Sequence, residues 1–171
     1  MKISLKITVA VALAVITLVA GCRKEDRIED NTFIIAGNSN ASYNREIVPE
    51  DCLIFPEDII QCTPEMYRHD LLIRFLSGES MYIEINKTAS SSAVPVGSFP
   101  FSGQCQEGSI SYFFLQDSRK SAGLYFSSGS ITVSRDGDAY DIDIDMKIDQ
   151  NSGGGTLKGN FHGPIQPGDA R

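Results

Sequence analysis

The chain has 171 residues, 42% hydrophobic and 22% charged, with 22 acidic against 15 basic side chains and a formal net charge of −7. An acidic balance of this size repels a phosphate backbone, so nucleic acid is not expected as a partner. The length suits one domain, and a chain of this size buries about 68–70% of its unfolded surface, so no second core is needed.

At the N-terminus, Lys2 and Lys6 precede or interrupt the start of an apolar run that extends from Ile7 to Ala20 with only Thr8 and Thr17 as polar members. That is the layout of a secretory signal peptide. A spanning helix needs about 20 apolar residues, whereas this run is shorter and ends in charge. The change is abrupt: LVAGC (18–22) is followed by RKEDRIED (23–30), in which Ile28 alone is uncharged.

The ending Leu18, Val19, Ala20, Gly21, Cys22 resembles the lipobox of bacterial lipoproteins, with Val19 where leucine is commonest. The resemblance implies cleavage before Cys22, a diacylglycerol on its sulfur and acylation of the freed amine. Each buried methylene contributes about 0.8 kcal/mol and stable anchoring takes more than one acyl chain, so the peptide beyond Cys22 is free to be polar. The alternative is a buried or disulfide-bonded cysteine after an ordinary cleavage site. Lys24, Glu25 and Asp26 resemble the lysine-plus-two-acids signal that exports lipoproteins of Bacteroidota to the outer face of the outer membrane; a solvated tether without an address is the alternative. The expected organisation is a signal peptide over 1–21, a lipidated cysteine and charged tether over 22–32, a single β-rich domain over 33–166 and a tail over 167–171. Loss of Lys2 and Lys6 takes the formal charge from −7 to −9. The expected location is the outer membrane, lipid-anchored, on either its surface or its inner face.

In the domain itself, TFIIAG (32–37) predicts a first strand and NSNASYNRE (38–46) a polar loop. Cys52 and Cys62 then bracket CLIFPEDIIQC, where Pro56 before Glu57 and Asp58 suits the first turn of a short helix. With Cys22 assigned to lipid, Cys52, Cys62 and Cys105 remain in an oxidising compartment, and three cysteines permit at most one intramolecular disulfide. Cys52–Cys62 is the expected pair, with Cys105 an alternative partner for either. The two histidines, His69 and His162, lack zinc-ligand spacing, and no close cysteine pair accompanies them.

Tyr67–Phe75 has apolar residues at 67, 71, 73 and 75 and predicts a strand that turns at Gly78–Ser80 into MYIEI (81–85), a hairpin. The prolines of VPVGSFPF (94–101) favour an edge or irregular strand. ISYFFL (110–115) and GLYF (123–126) are further candidates. The strongest hairpin signal is GSITVSRDGDAYDIDIDMKI, with Ile131 and Val133 before a turn at Asp136 and Gly137, and Tyr140, Ile142, Ile144, Met146 and Ile148 after it. TLKGNFHGPI (156–165) supplies a last strand with Leu157 and Phe161 on one face. The expected fold is all-β, an antiparallel barrel or sandwich of about eight or nine short strands.

VPVGSF (94–99), SSGSITVSRDGDAYDIDID (127–145) and GGTLKGNFHGPI (154–165) together resemble recurring segments of small Bacteroidota outer-membrane lipoproteins. The resemblance covers about the last half of the chain. It implies a β-rich extracytoplasmic domain and carries no functional residues with it.

Chemistry is sparse. Asp141, Asp143 and Asp145 suggest a calcium loop, but the glycine and glutamate it requires fall on Met146 and Ser152, so the aspartates are expected on the outward face of a strand, with surface calcium as the weak alternative. No nucleophile elbow, phosphate loop or metalloprotease helix is present, and no catalytic residue or cofactor is expected. A hydrolase built on scattered carboxylates is the alternative reading. The preferred one is a non-catalytic binding module for a glycan, a small apolar ligand or an envelope protein, with Tyr43, Tyr67, Tyr82, Tyr112, Tyr125 and Tyr140 standing in for the absent tryptophan. An exposed tyrosine row or an open cavity would favour binding; two acids converging in a cleft would favour catalysis.

Overall fold

The computed structural model describes residues 31–62, 64–88, 90, 93–117, 119 and 123–169. The expected signal peptide, lipidated Cys22 and tether through Asp30 lie outside these residues. Among the described residues no helix is long and apolar enough to cross a membrane.

The domain is all-β. Its strands are β1 (Phe33–Ala36), β2 (Arg45–Ile47), β3 (Pro49–Ile54), β4 (Asp58–Ile60), β5 (Met66–Phe75), β6 (Glu79–Lys87), β7 (Gly97–Pro100), β8 (Ser109–Asp117), β9 (Gly123–Asp136), β10 (Ala139–Ile148), β11 (Thr156–Gly163) and β12 (Ile165–Pro167). They form one 12-stranded sheet in the order β12-β3-β5-β6-β8-β9-β10-β11-β1-β2, with β4 beside β5 and β7 beside β9. β12 on β3 is parallel, and the other strand pairs are antiparallel. Only Val48 separates β2, at one end of this order, from β3, near the other. The sheet must therefore curl back on itself, as a barrel-like fold does.

Alternation determines what lies inside. Met81, Ile83 and Ile85 of β6 are buried, as are Ile142, Ile144, Met146 and Ile148 of β10, and they join one cluster with Phe33, Phe99 and Phe113. Those three rings are among the largest fully buried side chains, so the interior is filled by the protein's own side chains. The hairpin between β9 and β10 closes one residue later than expected. Asp136 faces Ala139, so the turn centres on Gly137 and Asp138. Gly137 has φ +61°, which a glycine adopts without steric cost at the first central position.

Several elements differ from expectation. GLYF and the ITV segment belong to one 14-residue strand, β9, which pairs with β8 through its first residues and with β10 along the rest. The polar segment 38–46 contains a short turn at Ala41–Tyr43 and begins β2 at Arg45. The helical turn expected from Pro56 is absent: 55–57 bridge β3 to β4, and both strands run antiparallel to β5. Phe55 donates to the Asp70 carbonyl at 3.0 Å, which keeps the chain extended through the bridge, and Pro56, lacking an N–H, needs no strand partner there.

That extended course also decides the disulfide. An extended strand advances about 3.2–3.4 Å per residue, so Cys52 and Cys62 are carried far beyond the roughly 4.4–6.8 Å that a disulfide spans. Cys62 bonds Cys105 instead, with a Cα–Cα distance of 6.2 Å and a separation of 43 residues. Cys52 is free and fully buried, and burial pushes its thiol pKa well up, which makes it an inert core residue.

Candidate aromatic site on the outer sheet face

Strand pairing brings five outward side chains into one line. Leu53 faces Leu72, Leu72 faces Tyr82, Tyr82 faces Phe114 and Phe114 faces Tyr125, across β3, β5, β6, β8 and β9. At about 4.7–4.9 Å between strands the row extends roughly 20 Å. Tyr112 stands beside it, its ring 6.1 Å from that of Phe114, and the Phe114 and Tyr125 rings are 4.7 Å apart. Tyr125 is 53% exposed and Tyr112 37% exposed, so the rings offer accessible faces.

A β-bulge creates this cluster. Glu84 faces Tyr112 whereas Ile85 faces Ile110, so Ser111 is the extra residue in β8. Without it Ile110, Tyr112 and Phe114 would share one side. With it Ile110 turns inward with Phe113 and Leu115, and Tyr112 and Phe114 turn outward. Gly123 completes the arrangement, because a Cβ there would lie 2.3 Å from the Phe114 ring and 2.5 Å from the Leu115 carbonyl oxygen. Only glycine lets the ring lie over β9.

Polar groups flank the row on both sides. Asp70, Glu84 and Gln116 line a hollow of about 240 Å³ together with Tyr82, Tyr112 and Phe114. Burial among Tyr125, Glu84 and Tyr82 raises the Tyr112 phenol pKa, so it remains a neutral donor. Beyond Phe114 and Tyr125 opens a shallower hollow of about 760 Å³, edged by Asn40, Gln150, Asn151 and Ser152. This amide shelf is held in place. Asn38, 5% exposed, donates from Nδ2 to the carbonyls of Ser152 and Gly154, both at 2.9 Å. Asp149 donates its N–H to the Tyr125 carbonyl at 2.8 Å, and Tyr125 donates to Ser152 Oγ at 3.1 Å.

Of the six tyrosines named as candidates, Tyr82, Tyr112 and Tyr125 therefore converge. Tyr43 and Tyr140 are buried, and Tyr67 is half-buried opposite Lys87 and Ile59. Leu53, Leu72 and Phe114 were not singled out by sequence. The available signal was SYFFL, where apolar residues occupy consecutive positions and so cover both faces of a strand.

Asp141, Asp143 and Asp145 lie on the outward side of β10. His162 pairs with Asp141, and Lys158 reaches Asp145 at 2.7 Å. Burial and the neighbouring Asp141 raise the Asp143 pKa. Among the described residues no three histidine, cysteine or carboxylate side chains are placed to hold a metal. Two acids do converge elsewhere: Glu79 and Asp117, each 1% exposed, face one another across β6 and β8. Arg45 and Arg119 contact both of them. Hydrogen bonds from Arg119 and Arg45 hold the Asp117 carboxyl far below the ordinary carboxylate range. Each paired with both arginines, these two acids cap the end of the sheet.

The chain matches no protein-family model, and comparison with curated proteins and with solved structures found no significant match.

Proposed function

We propose that the chain is a lipid-anchored binding module of the bacterial outer membrane whose aromatic row holds an extended glycan. The row from Leu53 to Tyr125 is the observation that carries this reading. Sugar rings have apolar C–H faces and hydroxyl edges. Aromatic faces suit the first, while carboxylate, amide and phenol groups at the flanks suit the second. A run of roughly 20 Å on an open face takes several rings of a chain in succession. Because the interior is filled, an apolar ligand enclosed within the sheet is the weaker assignment.

The anchor rests on LVAGC and the charged segment after it. In this reading Cys22 carries the lipid, Arg23–Asp30 is the tether, and Lys24–Asp26 directs the domain outward as in the Bacteroidota lipoproteins it resembles. With no tryptophan in the chain, tyrosine emission is readable, and Tyr82, Tyr112 and Tyr125 supply half of the six tyrosines that produce it. Oligosaccharides of increasing length should alter that emission with an affinity that rises over the first few units; an affinity independent of length would point to a single-sugar pocket. Fatty-acid labelling should mark the wild type and not Cys22→Ala, and equal label in both would defeat the anchor.

A further inference from the structure

We propose that the cleft between Phe55–Glu57 and Pro167–Gly168 is a second binding site, which takes a primary alkylammonium group. The cleft has a volume of about 380 Å³, and its lining, which includes Phe55, Pro56, Glu57, His69, Pro167 and Gly168, shares no residue with the hollows of the aromatic row. His69 is 1% exposed, and its Nε2 has no hydrogen-bond partner within the protein. A buried polar atom of this kind calls for a partner from outside the chain.

The geometry and chemistry of the cleft select that partner. Nε2 lies 3.9 Å from Glu57 Oε2, too far for a direct hydrogen bond but suited to one donor atom placed about 2.8 Å from each. Burial lowers the His69 pKa below its ordinary value, so the imidazole is neutral near pH 7 and in its Nδ1–H tautomer offers Nε2 as an acceptor. The carboxylate is acceptor-only and already takes the Ser90 hydroxyl on Oε1, while Oε2 faces the histidine; the prolines have no N–H to give. The N–H of Phe55 is engaged by the Asp70 carbonyl at 3.0 Å, and that of Gly168 by the Ile54 carbonyl at 2.7 Å. The matching ligand brings donors and positive charge together. An ammonium supplies three donors, which can serve both Nε2 and Glu57; its charge suits the carboxylate, and its alkyl stem suits the Phe55 and proline walls.

The test uses the intact protein and the imidazole NMR signals of its two histidines, assigned with His162→Ala. Titration with n-butylammonium chloride should shift the His69 signal saturably, whereas n-butanol and potassium chloride should not. Glu57→Gln should weaken the response by roughly tenfold or more, the loss of one charge-assisted hydrogen bond. Absence of a saturable shift in the wild type, an equal response to n-butanol, or an unchanged affinity in Glu57→Gln with the His69 signal otherwise in place would each overturn the assignment.

Discussion

The two outer faces of this sheet follow one alternation rule and yet present opposite surfaces. On β10 and β11 the outward positions carry Asp141, Asp143, Asp145, Lys158 and His162, several of them paired with one another across the strands. On β5, β6, β8 and β9 the outward positions carry Leu72, Tyr82, Tyr112, Phe114 and Tyr125 side by side, with Arg68, Asp70, Arg74 and Glu84 around them. The buried residues of β10 and β11 are apolar, whereas β5, β6 and β8 bury His69, Glu79, Asn86, Ser109 and Asp117 beside their apolar residues. A charged outer face keeps a sheet soluble and discourages edge pairing, and nothing more is asked of it. An aromatic outer face exposes apolar area that folding has not used, which is the mark of an interaction surface.

The difference extends to the charges at each half, and the largest expected effect is there. Glu79→Ala leaves Arg45 and Arg119 with only Asp117 to share, and the loss of one member of such a buried cluster should destabilise the fold by about 3 kcal/mol, read as a lower urea midpoint. Lys158→Ala on the opposite half breaks an exposed pair and should change stability by less than about 1 kcal/mol. Equal losses would show that the two halves do not differ in this way.

The row itself comes next. Tyr82→Ala and Tyr125→Ala should each weaken glycan binding by about 1–3 kcal/mol, judging from what other flat ligands lose with a stacking ring. Gly123→Ala should displace the Phe114 ring and also strain the β8–β9 pairing at the Leu115 carbonyl, with a visible change in the aromatic NMR signals of Phe114 and some loss of binding.

Acid should act on the half that carries the aromatic row. His69, buried in β5, has a folded pKa lowered by burial from the ordinary 6.5. The unfolded chain therefore binds its proton more readily, so its contribution to stability is whole above about pH 6.5 and falls as pH drops below it. Asp51 and Asp117, held below the carboxylate range by Arg74 and by Arg119, begin to add to the loss only near and below about pH 4. His69→Gln should remove the upper limb of the pH–stability curve and leave the lower one.

Where alternation was strict, the fold was legible in the sequence. MYIEI and YDIDIDMKI read correctly as strands with their inward faces, and the outward aspartates of β10 followed from the isoleucines between them. Three-residue strands were not legible: β2, β4 and β12 exist because a neighbour pairs with them, and the nine residues between the cysteines of CLIFPEDIIQC suited a helical turn as well as an extended run. The disulfide partner then turned on that choice. The site was half legible. Tyrosines could be named, but the placing of Tyr112 and Phe114 on the side opposite Ile110 depended on Ser111, a bulge that local composition does not announce.

Glycan binding by the aromatic face is tested most directly on a panel of polysaccharides with three proteins: wild type, Tyr82→Ala/Tyr125→Ala, and Asp143→Asn. Wild type and Asp143→Asn should retain the same glycans, and the tyrosine variant should lose them while unfolding at a similar urea concentration. Glycan retention by the folded tyrosine variant, or capture of a protein and no glycan by the wild type, would contradict the assignment.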